Sequence, residues 1–297
     1  MKLDSILFFV IVACVAACTQ NTDKGSNPSL TEGNLAVVAD YTYKPLLETN
    51  VETYTSQNRK ANITVEYTNE LEAIRKLLGL NAEFILMSRK PTEQELNLIR
   101  SKNKIPKVYH YASDALAFML SLKSKDSILT SEQIQAILEG KSKYKLVVDR
   151  SNSANALYLK SKFDFDEKSG NIFAVGSDSA LLAIVQSNPD YIGVISNILI
   201  ADSENPTAKK ILNSVKVLSI SHKDSAGNII TSKPFQKDLA EAKYPFIRNI
   251  YIVNLAPTVS LGTGFANFMT TDRGQRIILK AGLLPSRFPG REIKIIQ

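Results

Sequence analysis

The sequence predicts an α/β fold built on a mostly parallel sheet, and three observations carry that prediction. Short runs of β-branched and other apolar residues, each of strand length, alternate along the chain with apolar stripes at helical spacing. The joins after the first three strands are polar and rich in helix-capping residues. The chain has 297 residues, 44% hydrophobic and 22% charged, which is ordinary globular usage and long enough for two cores.

The elements follow in order. Residues 34–39 form a strand that runs into Asp40, Tyr41, Thr42 and Tyr43, and Pro45 suits the first turn of a helix beginning at Leu46. Residues 63–67 alternate as a second strand. Thr68 or Asn69 then caps a helix whose Leu71, Ile74, Leu77 and Leu78 share one face. A third strand, 83–87, ends at Ser88, Arg89, Lys90 and Pro91, and Thr92 with Glu95 forms a capping box. Three strands thus each end in a polar loop and a helix, the arrangement in which loops beyond the strand ends bind ligands. Residues 108–112 and 115–120 are two further strands around Ser113 and Asp114. Thr130 and Gln133 open a helix that stops at Gly140.

Residues 145–163 carry the densest functional signal. Leu146, Val147 and Val148 are a buried strand, and Leu157, Leu159 and Phe163 belong to a helix. The loop between them points backbone N–H groups and the positive end of the helix dipole at one spot. Ser151, Asn152 and Ser153 can each cap that helix or offer a donor, and Arg150 adds a planar cation. Beyond it, residues 176–179 cap a helix, 191–195 form a buried strand, and 215–220 form another. Residues 221–233 read as a surface excursion turning at 226–228. Residues 244–253 are a long extended segment; 262–280 are helical, and the pair Gly262 and Gly264 permits a turn before that helix.

Residues 1–18 read as a signal peptide, with Lys2 ahead of an apolar run, 6–17, too short to span a membrane. The run ends in Val15, Ala16, Ala17 and Cys18, similar to a bacterial lipobox, which marks Cys18 for lipidation. Asp4 departs from the usual leader, and an ordinary cut after Ala17 is the alternative. Residues 19–33 are polar and read as a flexible tether. Cys14 and Cys18 are the only cysteines, so the folded body has neither a disulfide nor a cysteine metal site. The net charge of +7 suits small anions, and equally an acidic membrane surface or nucleic acid. The basic residues are interleaved with acids, without a basic block, which speaks against nucleic acid.

The chain resembles the substrate-binding proteins of bacterial phosphate ABC transporters, particularly short lipoprotein members. The resemblance is carried by residues 129–141, by the loop after Val148, by 178–196, by 244–248, and by 264–269 with 274–282. It implies a two-lobed periplasmic-binding-protein fold (a Venus flytrap) in residues 34–297. Lobe one would hold 34–122 and 245–297, lobe two 123–244, with crossings near 120–125 and 244–253. It implies a monomer, lipid-anchored in the periplasm or at the cell surface, delivering phosphate or a similar oxyanion to an ABC permease without metal or cofactor. Carried over by position, the ligand residues would be Tyr41, Thr42, Thr68, Ser88, Arg89, Asp149, Arg150, Ser151, Ser153, Ala154 and Asn155. Three departures bear on that set. The family's small, Gly-rich first loop is here Asp40 to Tyr43; its Ser-Asp is Ser88 and Arg89; and Ser153, Ala154 and Asn155 stand for Ser-Gly-Thr, with Asp149 at the family's Arg position. Cation and carboxylate would then have exchanged lobes, Arg89 gripping the anion and Asp149 accepting its proton, which favours phosphate over sulfate. A sensor or adhesion module of the same fold, binding a different anion or none, is the alternative. Catalysis finds no motif: His110 and His222 stand alone, and neither a nucleophile elbow nor a Walker loop is present.

Overall fold

The computed structural model describes residues 28–163, 165 and 171–290. The signal peptide, Cys18 and most of the expected tether lie outside them. The tether's last residues do not hang free. Tyr54 donates to the Leu30 carbonyl at 2.5 Å, and Lys60 pairs with Glu32 at 3.1 Å.

Strands β1 (Gly33–Asp40), β2 (Ala61–Thr68) and β3 (Phe84–Met87) pair in parallel in the order β2-β1-β3. Helices α1 (Lys44–Gln57), α2 (Glu70–Leu78) and α3 (Glu93–Ser101) connect and cover them. The capping reasons hold: Asn69 accepts from the Glu72 N–H, and the Thr92–Glu95 box is complete. The two strands expected around Ser113 are one, β4 (Lys107–Ser121), because nothing at Ser113 or Asp114 interrupts its extended backbone. After β5 (Ile128–Thr130) and the boxed helix α4 (Ser131–Leu138), β6 (Lys145–Val148) leads into α5 (Ala154–Lys162). Then come β7 (Ile172–Ala174), α6 (Asp178–Ser187), β8 (Tyr191–Ser196) and α7 (Pro206–Leu212).

The strand expected over 215–220 splits into β9 (Val215–Val217) and β10 (Ser219–Lys223), which join different sheets. The surface excursion is a hairpin, β10 with β11 (Ile229–Ser232), turning where Gly227 takes φ +85°. Helix α8 (Gln236–Ala240) precedes β12 (Ile247–Asn254). The last helical stretch is two helices, α9 (Leu261–Thr270) and α10 (Asp272–Lys280), separated by extended Thr271, ahead of β13 (Leu284–Pro285). Gly262 and Gly264 lie inside α9 rather than in a turn before it. Gly264 is required by close approach: a Cβ there would stand 1.8 Å from the Leu30 carbonyl oxygen.

The main sheet runs β2-β1-β3-β12-β4-β8-β6-β7, with β13 and β9 also on β4; β5, β10 and β11 form a second sheet. Two parallel groups therefore flank the antiparallel pair β4 and β12. Along β4 the neighbours change between Ala115 and Leu116, from β12 to β8. That exchange falls upstream of the crossing expected at 120–125. Large apolar cores lie on each side of it, one around Leu47, Phe84 and Phe265, the other around Phe118, Ile134 and Leu159. These are the two lobes of an α/β fold.

Candidate ligand-binding cleft

The parallel strands on both sides end toward each other, and their loops meet. β1 ends at Asp40, which lies opposite Thr68 at the end of β2. Asp40 is fully buried. Its Oδ1 accepts from the Thr42 N–H at 2.8 Å, capping a single 3-10 turn (Tyr41–Tyr43). Its Oδ2 reaches the other lobe and accepts from the Ala154 N–H, the first residue of α5, at 3.1 Å. Three further contacts cross the cleft. The Leu71 N–H donates to the Asn152 carbonyl at 3.4 Å. The Arg150 guanidinium lies 4.0 Å from the Tyr41 ring centre. Arg248 Nη1 donates to Asn155 Oδ1 at 3.2 Å.

The loop from Asp149 to Asn155 is organised around a carboxylate. Asp149 Oδ1 accepts from Ser153 Oγ at 2.8 Å and Asn155 Nδ2 at 3.2 Å, and Arg150 Nη1 stands 3.2 Å from Oδ2. Ser153 caps α5 by accepting from the Ala156 N–H. The left-handed residue is Asn152, at φ +56°, so Ala154 needs no glycine-like backbone. Asn tolerates that region better than most residues.

Buried charge dominates the rest of the cleft. Glu70, in the first turn of α2, accepts from Ser88 N–H at 2.7 Å and Ser88 Oγ at 2.6 Å, with the Tyr43 hydroxyl at 3.5 Å. Desolvation pushes its pKa up to about 7 against the pull of Ser88. Burial also raises Asp40, opposed by Thr42 and reinforced by Asp149. Asp178, at the start of α6, is pushed up to about 6 by desolvation and then by Asp149. Arg248, 2% exposed, pairs with Asp114 through Nε at 2.9 Å and Nη2 at 2.5 Å. Burial opposes its charge, but Asp114 and Tyr43 outweigh it and its pKa rises. Among the described residues no three acidic, histidine or cysteine side chains converge to hold a metal ion.

The residues expected from the sequence divide. Tyr41, Thr42, Thr68, Ser88, Asp149, Arg150, Ser153, Ala154 and Asn155 gather around this network. Arg89 does not: it forms a two-pronged bridge to Glu95 at 2.7 and 2.8 Å and bonds the Lys90 carbonyl. In place of the reciprocal swap's ligand contacts, Asp149 here stands beside Arg150 and Arg89 pairs with the capping-box acid. Ser151 is exposed and lines a cavity with Asn152, Val148, Leu157 and Phe165. Sequence reasoning missed Glu70, Asp178 and Arg248, and saw Asp40 only as an acid in a departure from a Gly-rich loop. Acids at the strand end or helix start of several such loops, Asp40, Glu70, Asp149 and Asp178, were the available signal for the acidic members.

Over residues 23–273 the sequence matches the profile of the PBP superfamily domain. The chain belongs to the PBP superfamily. No curated protein sequence matches it. Among solved structures, this PBP chain resembles an ABC-type phosphate transport receptor from Vibrio cholerae, with TM-score 0.64, 18% identity, and 85% and 100% of the two chains covered. It also resembles the ancestral soluble variant of the human phosphate binding protein, with TM-score 0.67, 9% identity, and 86% and 91% covered. A third is the regulatory domain of CcmR from Synechocystis in complex with 2-PG, with TM-score 0.53, 13% identity, and 80% and 96% covered. At such identities the likeness is one of fold.

Proposed function

We propose that this PBP chain is a lipid-anchored extracytoplasmic receptor, not an enzyme, that closes two lobes on phosphate and hands it to an ABC permease. One observation carries the reading. The Ala154 N–H, at the positive end of α5, holds a carboxylate oxygen offered from the opposite lobe. The cleft thus presents a donor to an anionic oxygen, which is how an oxyanion would be held between lobes. Its acids favour phosphate over sulfate: Asp149 and Glu70 can accept from a P–OH group, whereas sulfate brings only bare charge against them. Two of the similar structures are named for phosphate. The lobes in this proposal are 34–122 with 245–297, and 123–244, the part of β4 from Leu116 on being shared because it packs in the second core. Cys18 carries the lipid, and the working unit is a monomer.

The same contact favours a second reading. A donor already satisfied by the protein's own acid suits a module that has left transport for sensing, and one similar structure is a regulatory domain. Isothermal titration of the full chain in detergent, with phosphate and then sulfate, separates the two. Phosphate binding at micromolar or tighter, about −8 kcal/mol, unmatched by sulfate, supports the receptor. Absence of heat with both anions removes phosphate and leaves the sensor.

A further inference from the structure

Resting on the cleft's reading as an oxyanion site, we propose that Asp40 is a built-in occupant of the anion position. It stands on the donor an entering anion would use, holds the lobes together in its absence, and must be displaced for capture. An ordinary cap uses one side-chain oxygen. Asp40 spends Oδ1 in that way, on the Thr42 N–H, while Oδ2 bonds Ala154, 114 positions away in the other lobe. Beside it, the Thr42 hydroxyl is buried without a fully formed hydrogen bond, so polar capacity remains at the spot. The cations nearby are committed elsewhere: Arg150 to Asp149 and the Tyr41 face, Arg248 to Asp114 and Asn155. An anion arriving with Asp40 in place would meet a carboxylate on the donor it needs. Asp40 therefore sets anion affinity from within the site.

Asparagine at this position separates occupancy from capping. Asn caps as well as Asp, so Asp40→Asn keeps the Thr42 bond, but its neutral amide is a poor substitute for the carboxylate on Ala154. Amide hydrogen exchange on the anion-free full chain reads the result at Leu71, whose bond to Asn152 also crosses the cleft but does not involve Asp40. Phosphate titration of wild type, Asp40→Asn and Asp40→Gly is run alongside. We expect exchange at Leu71 to quicken at least tenfold and phosphate to bind at least tenfold tighter in both variants. Quickened exchange with no phosphate heat in any form keeps Asp40 as the occupant and overturns phosphate as the ligand. Unchanged exchange with equal phosphate affinity in all three overturns the occupant and keeps the receptor. Unchanged exchange without phosphate heat overturns both.

Discussion

The two sides of the cleft bury carboxylates in opposite ways. Toward the strands shared by the lobes, Asp114 is matched by the guanidinium of Arg248, which passes its remaining capacity to Asn155 and so to Asp149. In the first lobe, Glu70 and Asp40 are as deeply buried, yet among the described residues neither forms an ion pair. They are held by neutral donors, from Ser88, Tyr43, Thr42 and Ala154. A full counter-charge fixes a network whose members cannot be removed singly. Dipoles alone leave Glu70 titrating near neutral pH, so its charge depends on pH.

The largest effect should come from the ion-paired side. Arg248→Met strands Asp114 without its cation and should cost roughly 3–5 kcal/mol in urea unfolding; adding Asp114→Leu should restore most of it. If the double variant is no better than the single, the pair is more than charge balance. On the other side, Glu70 carries its signature in pH. Its pKa rises from 4.5 to about 7 on folding, so the unfolded chain gives up that proton first. Stability should therefore fall between those two values as pH rises, by about 3 kcal/mol, and then level off. Glu70→Gln should flatten that slope, and an unchanged profile would mean that Glu70 is ionised throughout. Ser88→Ala removes the 2.6 Å donor and should cost roughly 1–2 kcal/mol above neutrality, and less in acid. Smallest should be Tyr41→Leu, which removes the face under Arg150 and costs about 0.5–1 kcal/mol. A larger loss there would mean the cross-cleft contact outweighs both carboxylate systems.

The alternation of strands and helices was legible because β1, β3, β6 and β8 are compact apolar runs, and because the caps at Asn69, Thr92 and Thr130 use local chemistry. Three-residue strands such as β5 and β7 carry too little periodicity to be read. The loops that meet at the cleft were also readable, from strand ends followed by helix starts. What occupies them was not. Arg89 was read by its position in a family pattern, but Glu95, fixed in the capping box six residues on, is a nearer partner. Glu70 sits where any first-turn acid of a helix would, and Arg248 is one residue of an extended run. Their roles arise from partners 18 and 134 positions away, separations no local pattern encodes.

β4 passes without interruption from one lobe into the other over 15 residues, a length of about 50 Å. A joint of that kind is a flexure, not a pivot. Its backbone has no single residue about which to turn, so any opening spreads as twist along the strand and its partner β12, whose register is irregular between Ile250 and Tyr251. A flexure resists in proportion to its deflection and springs back when released. The molecule's resting posture would then be set by the elastic neutral point of a two-strand ribbon as much as by the grip of its cleft.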